Sequence, residues 1–138
     1  MCDLFGLSCN ETDRATRSLP IFSEYASGNR DGWGIGWFEG NTAIVNRAAC
    51  RADLDDAFYE SVDYARSHNI IAHIRYATQG NNRECNCHPF TRHYNGRDWL
   101  LAHNGWVTGA GGHPDAEGDT DSESVFHEIM DNVYEYQN

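Results

Sequence analysis

The chain of 138 residues contains no lysine: all ten of its cationic side chains are arginine. Against 21 acidic residues they leave a formal net charge of −11 and an isoelectric point near 4.8. Polyanions are held through lysine and arginine contacts, so this balance argues against nucleic acid and anionic membrane as partners. No apolar run is long enough to span a bilayer, and no basic-then-apolar leader opens the sequence. A cytoplasmic location is therefore expected. Cys2, Cys9, Cys50, Cys85 and Cys87 make an odd number, which excludes a fully paired disulfide framework and suits reduced thiols. Cys85-Asn86-Cys87-His88 could suggest zinc, but Cys-x-Cys is not the usual ligand spacing and no second ligand pair follows. No metal and no cofactor is expected. The length suits one domain, residues 1–138, with a moderate core.

The elements are legible from periodicity and punctuation. Leu4-Phe5-Gly6-Leu7 reads as a strand, and residues 10–28 as a loop and a short helix with Pro20 in its first turn. Trp33-Gly34-Ile35-Gly36-Trp37-Phe38 alternates glycine with bulky residues. One face of that strand is bare backbone, so another part of the molecule must lie close against it. Glu39-Gly40-Asn41 is a hairpin turn into a return strand over residues 42–47. Leu54, Ala57, Phe58, Val62 and Ala65 have helical spacing within residues 53–67. Residues 69–78 form a mostly apolar strand carrying Arg75, and residues 98–103 another, stopped by Asn104-Gly105. A glycine-rich loop over 107–118 precedes Thr120-Asp121-Ser122-Glu123, which has the form of a capping box, and then a helical apolar stripe from Val125 to Tyr134. Hairpins between mixed strands and helices favour an α+β fold with antiparallel sheet.

Four features could carry chemistry. Cys2 follows the initiator methionine. If that methionine is removed, a thiol and a free α-amine share one residue, and an N-terminal amine has a pKa near ~7.7, a usable base at neutral pH. A penultimate cysteine without function is the alternative. Arg75 in an apolar strand needs a carboxylate partner, either a structural ion pair or a bound substrate. Asn104-Gly105 at a strand end can offer a side-chain amide and a backbone N–H as an oxyanion hole, or be an ordinary Asn-Gly turn. Asp121 at a helix start can complement the helix dipole or receive an ammonium group.

Six ordered segments tie these features together: Met1-Cys2-Asp3-Leu4-Phe5-Gly6, Asp31-Gly32-Trp33-Gly34-Ile35-Gly36-Trp37, His73-Ile74-Arg75-Tyr76-Ala77-Thr78-Gln79-Gly80, Asn86-Cys87-His88-Pro89-Phe90, Ala102-His103-Asn104-Gly105 and Gly118-Asp119-Thr120-Asp121-Ser122-Glu123. In this order they resemble the class II glutamine amidotransferases, which use an N-terminal cysteine nucleophile. The Asp-Gly-Trp-Gly and Asn-x-His-Pro-Phe forms look most like the stand-alone branch, which includes γ-glutamyl hydrolases of ergothioneine-type pathways. The resemblance implies a four-layer αββα fold with stacked antiparallel sheets, incomplete at its C-terminal side because the family domain is longer. It implies Cys2 as nucleophile with its own α-amine as base, and Asn104 and Gly105 as oxyanion donors. It implies that Arg75 clamps the α-carboxylate of glutamine or another γ-glutamyl small molecule and that Asp121 receives its α-ammonium. Tyr76 and Thr78 would line the pocket, as would Gln79, which stands where the synthase branch more often has His. A separate synthase partner, a separate C-terminal portion and homo-oligomerisation through an unpaired sheet edge are the partners this implies. The alternatives are hydrolysis of a larger γ-glutamyl conjugate and an inactive, truncated binding module.

Overall fold

The close approach demanded by the glycines of Trp33–Phe38 is the organising contact of the structure, a computed structural model that describes residues 1–137. In chain order its elements are β1 (Asp3–Asp13), α1 (Ser18–Ser23), β2 (Gly32–Glu39), β3 (Thr42–Ala48), α2 (Asp56–Tyr64), β4 (Ser67–Arg75), β5 (Phe90–Tyr94), β6 (Arg97–Leu101) and α3 (Asp121–Gln137). A four-stranded sheet has the order β1-β4-β2-β3, and β5 and β6 form a two-stranded one. Every pairing is antiparallel.

Side-chain alternation gives β2 two unlike faces. On one, Trp33, Ile35 and Trp37 join Ile70, Ala72 and Ile74 of β4 in a core with Leu19 and Phe22 of α1 and Phe58 and Val62 of α2. Trp33 and Phe58 meet edge to face, with centroids 5.3 Å apart. Full burial of such side chains stabilises the fold by roughly 1.5–3 kcal/mol each. The Trp33 indole N–H donates to Asp55 Oδ2 at 2.9 Å, and Asp55 Oδ1 caps α2 by accepting the Ala57 N–H at 3.1 Å. The other face is the glycine face. A methyl group on Gly34 would overlap the His88 carbonyl oxygen, and one on Gly36 would lie 2.7 Å from Pro89 Cγ and 3.1 Å from Leu100 Cδ1. The His88-Pro89 segment and β6 therefore lie directly on the bare backbone.

The second sheet is a hairpin turned at Asn95-Gly96. Both residues have positive φ, 53° and 72°, the pattern of a type I′ turn. Its far face packs Phe90, with Tyr94, Trp99 and Leu101, against Phe126 and Met130 of α3. The layers thus run helix, sheet, sheet, helix. Thr120 Oγ1 accepts the Glu123 N–H at 3.3 Å, one half of the expected capping box. The Glu123 carboxylate accepts the Glu117 and Gly118 N–H groups instead, at 2.9 and 2.8 Å, and so fastens the incoming loop.

Several boundaries differ from the sequence reading. The helix expected over 53–67 is a 3-10 turn at Ala52–Leu54 followed by α2, because Asp55 takes up the cap. β1 continues to Asp13 through residues expected to be loop. β5 was not expected at all. β4 stops at Arg75 because the next two N–H groups leave the ladder: Tyr76 donates to Cys2 Sγ and Ala77 to Asp31 Oδ2. Among the described residues no helix is long and apolar enough to cross a membrane.

Candidate active site

β1 and β4 come into register at Asp3 opposite Ile74, which sets Cys2 beside the exit of β4. The Cys2 thiol lies against the main chain of Tyr76. Its Sγ accepts the Tyr76 N–H at 3.2 Å and donates towards the Tyr76 carbonyl at 3.3 Å. Asp3 accepts a hydrogen bond from the buried Asn29 side chain, and the Asp31 N–H donates to the Arg75 carbonyl at 3.0 Å. The segment between α1 and β2 therefore braces both chain ends that meet at Cys2. These supports were not singled out from sequence, although Asp31 lies within one of the six motifs.

From 102 residues away, Asn104 Nδ2 donates to the Cys2 carbonyl at 2.7 Å. A cavity of about 530 Å³ opens between these groups, lined by Cys2, Thr78, Gln79, Asn104 and Gly105 together with the exposed Met1 and Trp106. Trp106 was not anticipated. Of the residues nominated from sequence, Cys2, Thr78, Gln79, Asn104 and Gly105 share this cavity. Tyr76 contributes its peptide group to the thiol, and its side chain stands outside the lining.

Arg75 and Asp121 are also outside the lining. Arg75 is buried. Its Nη2 donates to the Gln79 and Gly80 carbonyls at 2.8 and 3.3 Å, and its Nη1 is buried with no hydrogen-bond partner among the described residues. It holds the loop that forms one wall of the cavity. Asp121, also buried, accepts the Val107 N–H on Oδ2 at 2.7 Å and the Ser122 N–H on Oδ1 at 2.8 Å. It anchors the chain directly after the opposite wall.

Histidines connect these walls. The His73 ring, on the glycine face, stacks on His88 at 4.2 Å. His88 Nδ1 accepts the His103 N–H at 3.1 Å, and His103 Nδ1 pairs with the Ser122 hydroxyl at 3.0 Å. The His103 ring lies under Gly105, where a methyl group would come 2.8 Å from Nε2. Burial in this layer holds the His73 pKa down to about 4 and that of His88 down to about 2, with Arg75 and the neighbouring histidines adding to the effect. Both rings are neutral at physiological pH. This chain of contacts joins the strand bearing Arg75 to the turn bearing Asn104. Cys85, Cys87 and His88 do not converge as metal ligands among the described residues. Cys87 is buried, donates towards the Ala48 and Arg83 carbonyls, and has its pKa raised to about 11, chiefly by desolvation.

The layers and antiparallel sheets define a mixed α+β protein whose fold is consistent with the N-terminal-nucleophile type, and comparison with known proteins specifies the family. The chain belongs to the class II glutamine amidotransferases, whose family model it matches over residues 1–138. It is 36% identical over 139 residues to a Haemophilus influenzae protein named "Putative glutamine amidotransferase", covering 91% of this chain and 46% of that relative. It is 44% identical over 82 residues to the γ-glutamyl-hercynylcysteine sulfoxide hydrolase of Mycobacterium tuberculosis, covering 57% of this chain and 33% of the relative. A crystal structure of a predicted glutamine amidotransferase from Pseudomonas aeruginosa superposes with a TM-score of 0.55 at 26% identity, covering 91% of this chain and 52% of that one. The chain spans about half the length of the curated relatives it matches.

Proposed function

We propose that this chain carries the amide-hydrolysing site of a glutamine amidotransferase, with Cys2 as nucleophile after removal of Met1. The observation that carries the reading is the shared cavity: Cys2, Asn104 and Gly105 line one space. In the proposed reaction the α-amine of Cys2 takes the thiol proton as Sγ attacks the γ-carbonyl carbon of a γ-glutamyl amide. The oxyanion is met by Asn104 Nδ2 and the Gly105 N–H. Nδ2 bears two hydrogens, and the Cys2 carbonyl uses one of them. The protonated α-amine of Cys2 gives its proton to the leaving nitrogen as the C–N bond breaks, and a glutamyl thioester remains. The same amine then takes a proton from water, which attacks the thioester and releases glutamate and the free thiol.

Arg75 is the proposed reader of the α-carboxylate. Its Nη1 has donors to spare, and a carboxylate would replace the Gln79 and Gly80 carbonyls on Nη2. Asp121 is the proposed acceptor of the α-ammonium, using lone pairs beyond those given to Val107 and Ser122. Thr78 lines the proposed substrate wall, and Tyr76 contributes to the site through its peptide group on the thiol. The acid released is glutamate. The acceptor of the ammonia, if there is one, belongs to a synthase partner or to a separate portion of the protein.

A larger γ-glutamyl conjugate is the second reading. A cavity of about 530 Å³ lies in the size range that encloses drug-sized ligands, and the M. tuberculosis relative is named for such a substrate. The test is to follow glutamate release from glutamine and from γ-glutamyl peptides by the wild type and by Cys2→Ala, with the intact mass reporting whether Met1 is gone. Activity that is Cys2-dependent and present only in the processed chain is expected. Equal turnover in Cys2→Ala removes the reading, and absence of turnover on both substrate classes by the processed protein favours a binding module.

A further inference from the structure

Away from the cavity at Cys2, helix α3 and the glycine-rich loop bring two histidines and a carboxylate together. His113 and Asp115 come from the loop and His127 from the buried face of α3. One potential ligand atom from each lies within 4.8 Å of the others. We propose that His113, Asp115 and His127 form a binding site for one divalent transition-metal ion of the Zn²⁺ class, which ties the loop over 107–118 to α3.

The donor chemistry fits. Two imidazoles and one carboxylate suit a borderline ion better than calcium or magnesium, which take oxygen ligands. Bonds of about 2.0–2.2 Å in a tetrahedral site put ligand atoms roughly 3.4 Å apart. The three atoms therefore need to close by about an ångström, within reach of side-chain rotation at an exposed loop. Water would fill the fourth position.

Two further observations point to a ligand. His127 is 2% exposed, yet its Nδ1 is buried with no hydrogen-bond partner among the described residues, and such orphans are rare in folded proteins. His113 has the supporting contact that metal-bound histidines usually have. Its Nε2 meets Asp131 Oδ2 at 3.1 Å and its Nδ1 accepts the Asp115 N–H at 3.2 Å, so an ion on Nδ1 would displace that amide while Asp131 stays on Nε2. The two rings stack at 4.7 Å, and a cleft of about 140 Å³ lined by Asp115 and His127 opens beside them. Arg92 is the competing cation. It reaches Asp115 at only 3.9 Å in a partly exposed pair, an interaction of little strength.

The proposed site makes sense of the loop. Gly109, Gly111 and Gly112 all have positive φ, with nothing within 4 Å of where a side chain would start. Residues 108–112 lie between Val107, whose N–H is held by Asp121, and His113, whose N–H donates to Ser124 Oγ at 3.2 Å, and they follow closely on Trp106 in the Cys2 cavity. An ion at its far end would clamp it.

The test uses the whole 138-residue chain, stripped with a chelator and titrated with Zn²⁺ against a chromophoric competitor, then with Co²⁺ by absorption. The expected result is one equivalent bound, with tetrahedral Co²⁺ bands and no thiolate charge-transfer band. Asp115→Ala should weaken Zn²⁺ binding by at least ~10-fold, the smallest loss usual when even a supporting residue of a metal site is removed. The Asp115 side chain is 64% exposed, so this variant keeps the fold even if His127→Ala does not. His93→Ala and Cys85→Ser should bind as the wild type does. Absence of stoichiometric binding, unchanged affinity in Asp115→Ala, or a thiolate band that disappears in Cys85→Ser would each overturn the proposal. No readout depends on turnover at Cys2.

Discussion

Alanine at position 34 would put a methyl group into the space occupied by the His88 carbonyl oxygen. That oxygen belongs to the main chain of a buried segment and cannot rotate away as a side-chain tip can. Either the sheets separate locally or the 88–89 segment shifts. Overpacking of this kind costs about 1–3 kcal/mol, and a backbone clash belongs at the upper end. For a chain of this size each kcal/mol lowers Tm by roughly 4 °C, so Gly34→Ala should melt ~4–12 °C below the wild type. Gly6→Ala is the matched control. Gly6 is also in a strand, but nothing lies within 4 Å of the added methyl, so its Tm should move by no more than a degree or two, ~0.5 kcal/mol at most. Thermal and urea denaturation of the three proteins side by side supply the measurement. A Gly34→Ala protein as stable as Gly6→Ala would mean that the sheets do not stack on this backbone, and the layer order would have to be abandoned.

Asn104→Ala should lower kcat for γ-glutamyl amide hydrolysis by ~10²–10³ with little change in Tm, since Asn104 is an exposed residue. Ser122→Ala takes away the hydroxyl that holds the His103 ring beneath Gly105. It should reduce kcat more than it raises KM, and an unaltered kcat would separate α3 from the oxyanion turn. His73 and His88 are neutral in the fold with depressed pKa values, whereas in the unfolded chain they protonate near ~6.5. The unfolded state therefore takes up protons that the folded state refuses. Their contribution is intact above pH ~6.5 and is lost as pH falls towards about 4 and below, with a slope of one to two protons, ~1.4–2.7 kcal/mol per pH unit. Urea midpoints at pH 7, 6, 5 and 4 would expose a flat profile if the two rings are not buried.

The glycine alternation in β2 was readable because it has one physical meaning, close approach of another backbone; what approaches, His88-Pro89, lies more than fifty residues on and left no mark in β2. β5 escaped notice because Phe-Thr-Arg-His-Tyr is short and half polar, yet Asn95-Gly96 was a hairpin signal that could have revealed it. The motifs of Cys2 and Asn104 were visible as a resemblance, while their contact depends on the stacking of two sheets and on no local pattern. For Arg75 the need of a buried guanidinium for acceptors was legible. Carbonyls of its own loop supply them here, and sequence spacing alone does not distinguish carbonyl from carboxylate.

The grip on the Cys2 sulfur comes from the peptide group of Tyr76, a residue that is 46% exposed. Main-chain atoms are common to nineteen of the twenty amino acids at that position, proline alone lacking the amide hydrogen. Evolution or an engineer could therefore exchange the ring at 76 to suit a new substrate while leaving the sulfur's mooring untouched.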